Sequence, residues 1–258
     1  MTRTKVGDLP RPARETGSVP KRVKKVRKGT SSLKGKSAKK AAKDGRNRKS
    51  KGGAPRRALN SSIGEIRHEE LMALPVLQYT GTVVLVATAE DLARAARDLR
   101  GEAIIGFDTE TKPVFQKGQG QKPPALVQMA SAQAVYLFQL RDKMNLPLLA
   151  ELLAAPHIVK TGVAVAGDIA GLKRVYAFAE SNMVDIGEVA RRQGMHQTGL
   201  RNLAAMMLGA RVSKGCRTSN WGAHVLSQQQ IAYAATDAYV GRELYLAFIR
   251  RGFPVGTS

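Results

Sequence analysis

The 258-residue chain contains one cysteine, Cys216, and only four histidines. That scarcity excludes a disulfide scaffold and a cysteine-rich zinc module, fits a reducing compartment, and leaves no disulfide-linked partner to expect. No apolar run approaches the roughly 18 residues a membrane-spanning helix needs, so no membrane partner is expected. The first residues lack the apolar core of a secretory leader, so a cytoplasmic protein is expected, with nucleoid or ribosome association in view of its charge. Acids are also scarce: 20 Asp and Glu stand against 42 Lys and Arg, for a net charge of +22.

That imbalance is concentrated at one end. Residues 1–57 hold 21 Lys and Arg against Asp8, Glu15 and Asp44, whereas residues 58–258 hold 21 against 17 acids. In the first segment the aliphatics Val6, Leu9, Val19, Val23, Val26 and Leu33 are scattered singly. Such a stretch cannot bury enough apolar area to offset ordering entropy, and it reads as a disordered basic arm. It is either a solubilising tail or a polyanion-binding arm; runs such as Lys21–Lys28 would displace counterions from phosphates without reading sequence. Residues 58–77 read as a short helical lead-in, 78–251 as one folded domain, and 252–258 as a tail.

Within the domain, Thr82–Val86 reads as a strand, and Thr88 as the cap of a helix over Ala89–Leu99, with Asp91 in the capping-box position. Ala103–Thr111 is a strand, and Leu126–Ser131 and Ala134–Leu140 are short strands of a hairpin or meander. A helix over Leu146–Ala155 and a strand over His157–Thr161 follow. Helices are then expected over Ala164–Ala179, Ile186–Gln193, Leu200–Leu208 and Ser227–Arg250. Early strands followed by mixed elements favour an α/β fold, a mixed sheet flanked by helices.

Three acidic sites stand out. Asp108 and Glu110, two apart at the end of an apolar strand, share one face. If buried, one of the pair takes a proton or a cation bridges them; alternatively the strand end frays into water and both are inert. Asp168 is the only charge between Lys160 and Lys173, with Val165, Ala164, Gly171 and Leu172 at helical spacing. It is either a partnerless carboxylate beside free space or an ordinary acid on an exposed helix. Tyr233 and Asp237, four apart among Ala234, Ala238 and Gly241, share a helical face; a Tyr–Asp hydrogen bond tying the helix to the body is the plain alternative. Taken together, the four acids call for compensating positive charge. His68, His157, His196 and His224 are dispersed, so magnesium or manganese is the economical choice.

The order Phe107-Asp108-Thr109-Glu110, then Lys160-Thr161-Gly162 with Asp168, then Tyr233-Ala234-Ala235-Thr236-Asp237 resembles the DEDD superfamily of 3′–5′ exonucleases, in its tyrosine subgroup and its ribonuclease D and Werner-type branch. Leu126-Val127-Gln128-Met129 resembles the family's strand after the first motif, and Ser219-Asn220-Trp221 its Ser-x-Trp signature. The resemblance implies a ribonuclease-H-like mixed sheet of five or six strands and two divalent metal ions, Mg²⁺ or Mn²⁺. It also implies a substrate of DNA or RNA with a free 3′ end. Asp108, Glu110 and Asp237 would hold one ion, Asp108 would bridge to the second with Asp168 reaching it through water, and Tyr233 would orient the attacking water. Lys160, Lys214, Arg217, Ser219, Lys117 and Lys122 are the candidate nucleic-acid contacts. Arg217 stands where relatives often carry Gln. No helicase-and-ribonuclease-D C-terminal module is expected after Arg251, and the basic arm is expected to take its place. The readings open at this stage are an exonuclease on DNA or RNA, a strictly RNA-trimming enzyme, and a catalytically silent nucleic-acid-binding protein.

Overall fold

The computed structural model describes residues 64–114, 122–256. The arm over 1–57, Lys117 and the end of the tail lie outside the described residues.

After α1 (His68–Ala73) and β1 (Val76–Leu77) the chain enters β2 (Thr82–Leu85) and α2 (Ala89–Arg100). The cap of α2 is reciprocal, as its sequence predicts: Thr88 Oγ1 accepts from the Asp91 N–H at 3.1 Å and the Asp91 carboxylate accepts from the Thr88 N–H at 3.0 Å. Such a cap stabilises a helix start by about 1 kcal/mol. Next come β3 (Ile104–Thr111), β4 (Pro124–Ala130), β5 (Ala134–Gln139) and α3 (Leu146–Ala154). They are followed by β6 (Val159–Gly162), α4 (Val165–Lys173), β7 (Met183–Asp185) and α5 (Ile186–Arg192). The chain then runs through α6 (Leu200–Leu203), β8 (Arg211–Val212) and the long α7 (Gln228–Arg250).

Six strands form one mixed sheet in the order β2-β5-β4-β3-β6-β7. β3–β4 and β4–β5 are antiparallel; the β2–β5, β3–β6 and β6–β7 pairs are parallel. β1 and β8 pair separately as a two-residue parallel ribbon. Alternation along the strands sends Ile105, Phe107, Val127, Met129, Tyr136 and Phe138 into a core with α2, α3 and α4. The other face, Leu126, Ala130, Val135 and Leu137, packs under Ala234, Ala235 and Ala238 of α7 together with Trp221. Trp221 is fully buried, a packing residue.

α7 lies directly on the sheet because two glycines permit it. A Cβ on Gly106 of β3 would come within 2.1 Å of the Ala238 carbonyl oxygen, and one on Gly241 within 3.2 Å of the Thr161 carbonyl oxygen. The capping box of Ser227 and Gln230 starts this helix: the Gln230 N–H donates to Ser227 Oγ at 3.2 Å, and Gln230 Oε1 accepts from the Ser227 N–H at 3.0 Å.

Two expectations need correction, and three short strands were not foreseen. α4 stops at Lys173 instead of running to Ala179; Val175, Tyr176 and Phe178 turn off to pack on the first core, and the Lys173–Glu180 ion pair closes the turn. The helix expected over Leu200–Leu208 is α6 followed by a wider π turn over Ala204–Leu208. β7 and the β1–β8 ribbon, of three and two residues per strand, carry too little periodicity to be read from sequence. In the tail, Phe253 packs against Phe248 at 5.2 Å between ring centroids.

Candidate active site

Asp108 and Glu110 leave β3 on the face that α7 covers, and α7 brings Asp237 down onto them. Asp108, Glu110 and Asp237 each offer a carboxylate oxygen, and the three oxygens lie within 4.8 Å of one another. They form the floor of a cleft of about 690 Å³. Its walls include the Gly162-Val163-Ala164 turn and the side chains of Arg201, Asn202, Lys214 and Arg217. Tyr233, one turn before Asp237 on α7, also lines the cleft, where its hydroxyl favours the ionised form of the Asp237 carboxylate.

Asp168 arrives by a different route. Its helix packs on the opposite face of the sheet, and its carboxylate accepts a hydrogen bond of 2.5 Å from the Thr109 hydroxyl. It therefore stands behind Thr109, outside the three-carboxylate group but close enough to raise the proton affinity of Asp108 and Glu110.

The electrostatics follow from burial without counter-charge. Among the described residues no Lys or Arg forms an ion pair with any of the four acids. Burial, with Asp237, Asp168 and Glu110 adding repulsion, holds Asp108 well above the usual carboxylate range. Burial and the charges of Asp237 and Asp168 push Glu110 up to about 9. Asp237 rises to about 7 through burial, opposed by the Tyr233 hydroxyl, and Asp168 to about 6 through burial, opposed by Thr109. Tyr233 is raised as well, by burial and then by Asp237.

The residues fit a hard divalent cation. Asp237 Oδ1 is buried and has no hydrogen-bond partner, and the donor set is all oxygen. Oxygen-only sets of this kind suit magnesium or manganese rather than a soft metal.

The cationic candidates divide. Lys214 and Arg217 line the cleft. Lys160 does not: it is fully buried in β6, and its ammonium donates to the Ala155 carbonyl at 2.7 Å. Burial lowers its pKa to about 8, and no phosphate can reach it. Ser219 is half-buried beyond the cleft, its N–H bonded to the Cys216 carbonyl at 2.9 Å, and Lys122 lies half-buried just before β4. Arg201 and Asn202 were not foreseen. A signal for Arg201 was present, because a cation in the first turn of a helix opposes the helix dipole and needs another reason to be there. Its Nε donates to the Val212 carbonyl at 2.9 Å, so the guanidinium is held at the cleft wall without any carboxylate partner among the described residues.

The pattern of the 3′–5′ exonuclease family matches residues 83–251. The chain belongs to that family. Within it, the exonuclease domain is 30% identical over 181 residues to the mouse bifunctional 3′–5′ exonuclease/ATP-dependent helicase WRN, covering 67% of this chain and 13% of that protein. It is 33% identical over 171 residues to a ribonuclease D of Gluconacetobacter diazotrophicus, covering 65% of this chain and 42% of that protein. The chain thus spans less than half the length of either curated relative. Among solved structures, the Nibbler EXO domain of Aedes aegypti superposes with a TM-score of 0.60 at 22% identity, over 68% of this chain and 92% of that one. That likeness supports the ribonuclease-H-like fold expected from the motifs.

Proposed function

We propose that this exonuclease domain hydrolyses phosphodiester bonds from the 3′ end of DNA or RNA and releases nucleoside 5′-monophosphates, using two divalent ions, Mg²⁺ or Mn²⁺. The observation that carries the reading is the buried group of Asp108, Glu110 and Asp237, which has no cation of its own and lies at the floor of a cleft with a cationic wall. Such a floor is tolerable to an anionic substrate only when positive charge is supplied. When bound, paired divalent ions would offset the phosphodiester's charge, lower the pKa of a coordinated water and stabilise the entering and leaving oxygens.

The chain's own residues do the placing. Asp108, Glu110 and Asp237 would hold one ion, and Asp108 with the more distant Asp168 would serve the second. Tyr233 keeps its proton at neutral pH, because burial and Asp237 both oppose its ionisation. Its hydroxyl is therefore a donor and acceptor that orients a water at the reacting phosphorus and does not act as a base. Arg201, Lys214 and Arg217 provide fixed positive charge for the phosphates flanking the scissile bond.

The test is a 5′-labelled oligonucleotide, DNA and RNA of matched sequence side by side, with Mg²⁺ or Mn²⁺ and with chelator. Metal-dependent laddering from the 3′ end supports the proposal. Full-length strands of both kinds after long incubation with either metal contradict it and leave nucleic-acid binding alone as the role.

A further inference from the structure

Gln128 is the residue of the family-like strand to which the site has so far given no role. It sits in β4 directly across from Asp108 in the antiparallel register. Side chains directly opposite in such a pair share a face, with Cβ atoms about 4.5–5.5 Å apart. Its neighbours two residues away, Leu126 and Ala130, both face α7, which fixes the side of the sheet that Gln128 occupies. On its other flank it faces Leu137 of β5.

Gln128 is fully buried, and neither Nε2 nor Oε1 has a hydrogen-bond partner. An unpartnered buried polar group costs about 1–3 kcal/mol, whereas an apolar side chain of similar shape would fill the same space without that cost. The polar groups brought to this face of β3 are Asp108 and Glu110, and α7 adds Asp237 with its own unpartnered Oδ1. An amide offers two N–H donors, and carboxylates offer only acceptors. The orphaned donors and the nearest acceptors are therefore complementary, and the register already places them side by side.

We infer that Gln128 is a positioning residue for Asp108: with a divalent ion in the site, its amide N–H donates to the Asp108 oxygen turned away from the ion and fixes that carboxylate's orientation. The inference rests on the metal-site reading above. Carboxylates that ligate metal are commonly held in this way, and loss of such a partner weakens metal affinity about 10–100-fold. The competing role is purely structural, with Gln128 Oε1 serving the indole N–H of Trp221, which is also buried and unpartnered.

The two roles predict opposite results for Gln128→Met in the full chain. As a positioning residue, the variant unfolds in chelator at the same or a higher temperature than the parent, while Mn²⁺ binding by calorimetry weakens at least about tenfold. A variant that loses thermal stability in chelator yet binds Mn²⁺ as the parent does overturns the inference. In the unmutated protein, the Gln128 side-chain amide signals in ¹⁵N NMR shift when Mg²⁺ is added; signals that stay put overturn it whether or not the variant folds. If the parent itself binds no Mn²⁺, the metal-site reading fails along with it. If the parent binds and the variant binds equally well, only the role of Gln128 fails.

Discussion

The two faces of the central sheet are built from the same strands and to opposite ends. Under α2, α3 and α4 the alternate residues are large and apolar: Ile105, Phe107, Val127, Met129, Tyr136 and Phe138. Under α7 the same strands present Gly106, Asp108, Glu110 and Gln128, and the helix answers with Ala234, Asp237 and Ala238. The first face gains stability from apolar area. The second gives some of it up, keeping uncompensated carboxylates, an unpartnered amide and a close helix approach that only glycine allows. Burial of charge without partners is destabilising in a structural core, and it is the arrangement a cation site requires.

Substitutions across one strand break this comparison most sharply. Asp108→Ala and Asp237→Ala should each lower exonuclease activity by about 10³-fold or more in a laddering assay, with the circular dichroism of the parent and no loss of melting temperature. Phe107→Ala, one residue away on the opposite face, should cost about 3–5 kcal/mol in denaturant unfolding. An unfolded Asp108→Ala protein would mean that both faces are structural.

A second prediction concerns the sign of the pH dependence. Carboxylates whose pKa is raised by folding bind protons more tightly in the folded chain, so their stabilising contribution is full below about 4 and is lost as the pH rises through the folded values. For Asp168, Asp237 and Glu110 those values are about 6, 7 and 9. In chelator, stability should therefore fall between about pH 4 and pH 9, and Mg²⁺ should restore it above neutrality. Asp237→Asn, which removes the ionisation, should be more stable than the parent by about 2–4 kcal/mol at pH 8.5 in chelator and no more stable at pH 4. Equal pH dependence of the two proteins in thermal melts would count against burial of Asp237 without a counter-charge.

Smaller effects belong to the wall and the arm. Arg201→Ala should raise KM by about tenfold with kcat nearly unchanged, and Arg201→Lys should recover only part, because the planar guanidinium is what the Val212 carbonyl holds in place. A fall in kcat alone would place Arg201 in the chemistry instead. Removing residues 1–57 deletes 21 cations and should weaken substrate binding and flatten its salt dependence while sparing turnover at saturation. Identical salt slopes for the two chains would leave the arm as a tail.

Much of this was legible from the sequence, for identifiable reasons. The capping box of Thr88, the pairing of β4 with β5 and the helical pattern of α7 are local signals, and local signals survive into the fold. Asp108, Glu110, Tyr233 and Asp237 were legible because strand and helix periodicities state which residues share a face. What the sequence did not carry was the identity of distant partners. Lys160 reads as a phosphate ligand until the Ala155 carbonyl is found at its ammonium, and Asp168 as one more acid in a common pocket until Thr109 is found between it and the others. For Arg201 the helix-start position was a local signal, but what holds its guanidinium at the cleft is a carbonyl eleven residues further along.

The account stands on positive charge entering the group formed by Asp108, Glu110 and Asp237. Crystals soaked in Mn²⁺ and measured for anomalous scattering test that directly. The account predicts anomalous peaks in the cleft, bounded by these three carboxylates and with Asp168 behind. No peak there at saturating Mn²⁺, or carboxylates swung out into solvent, would contradict it.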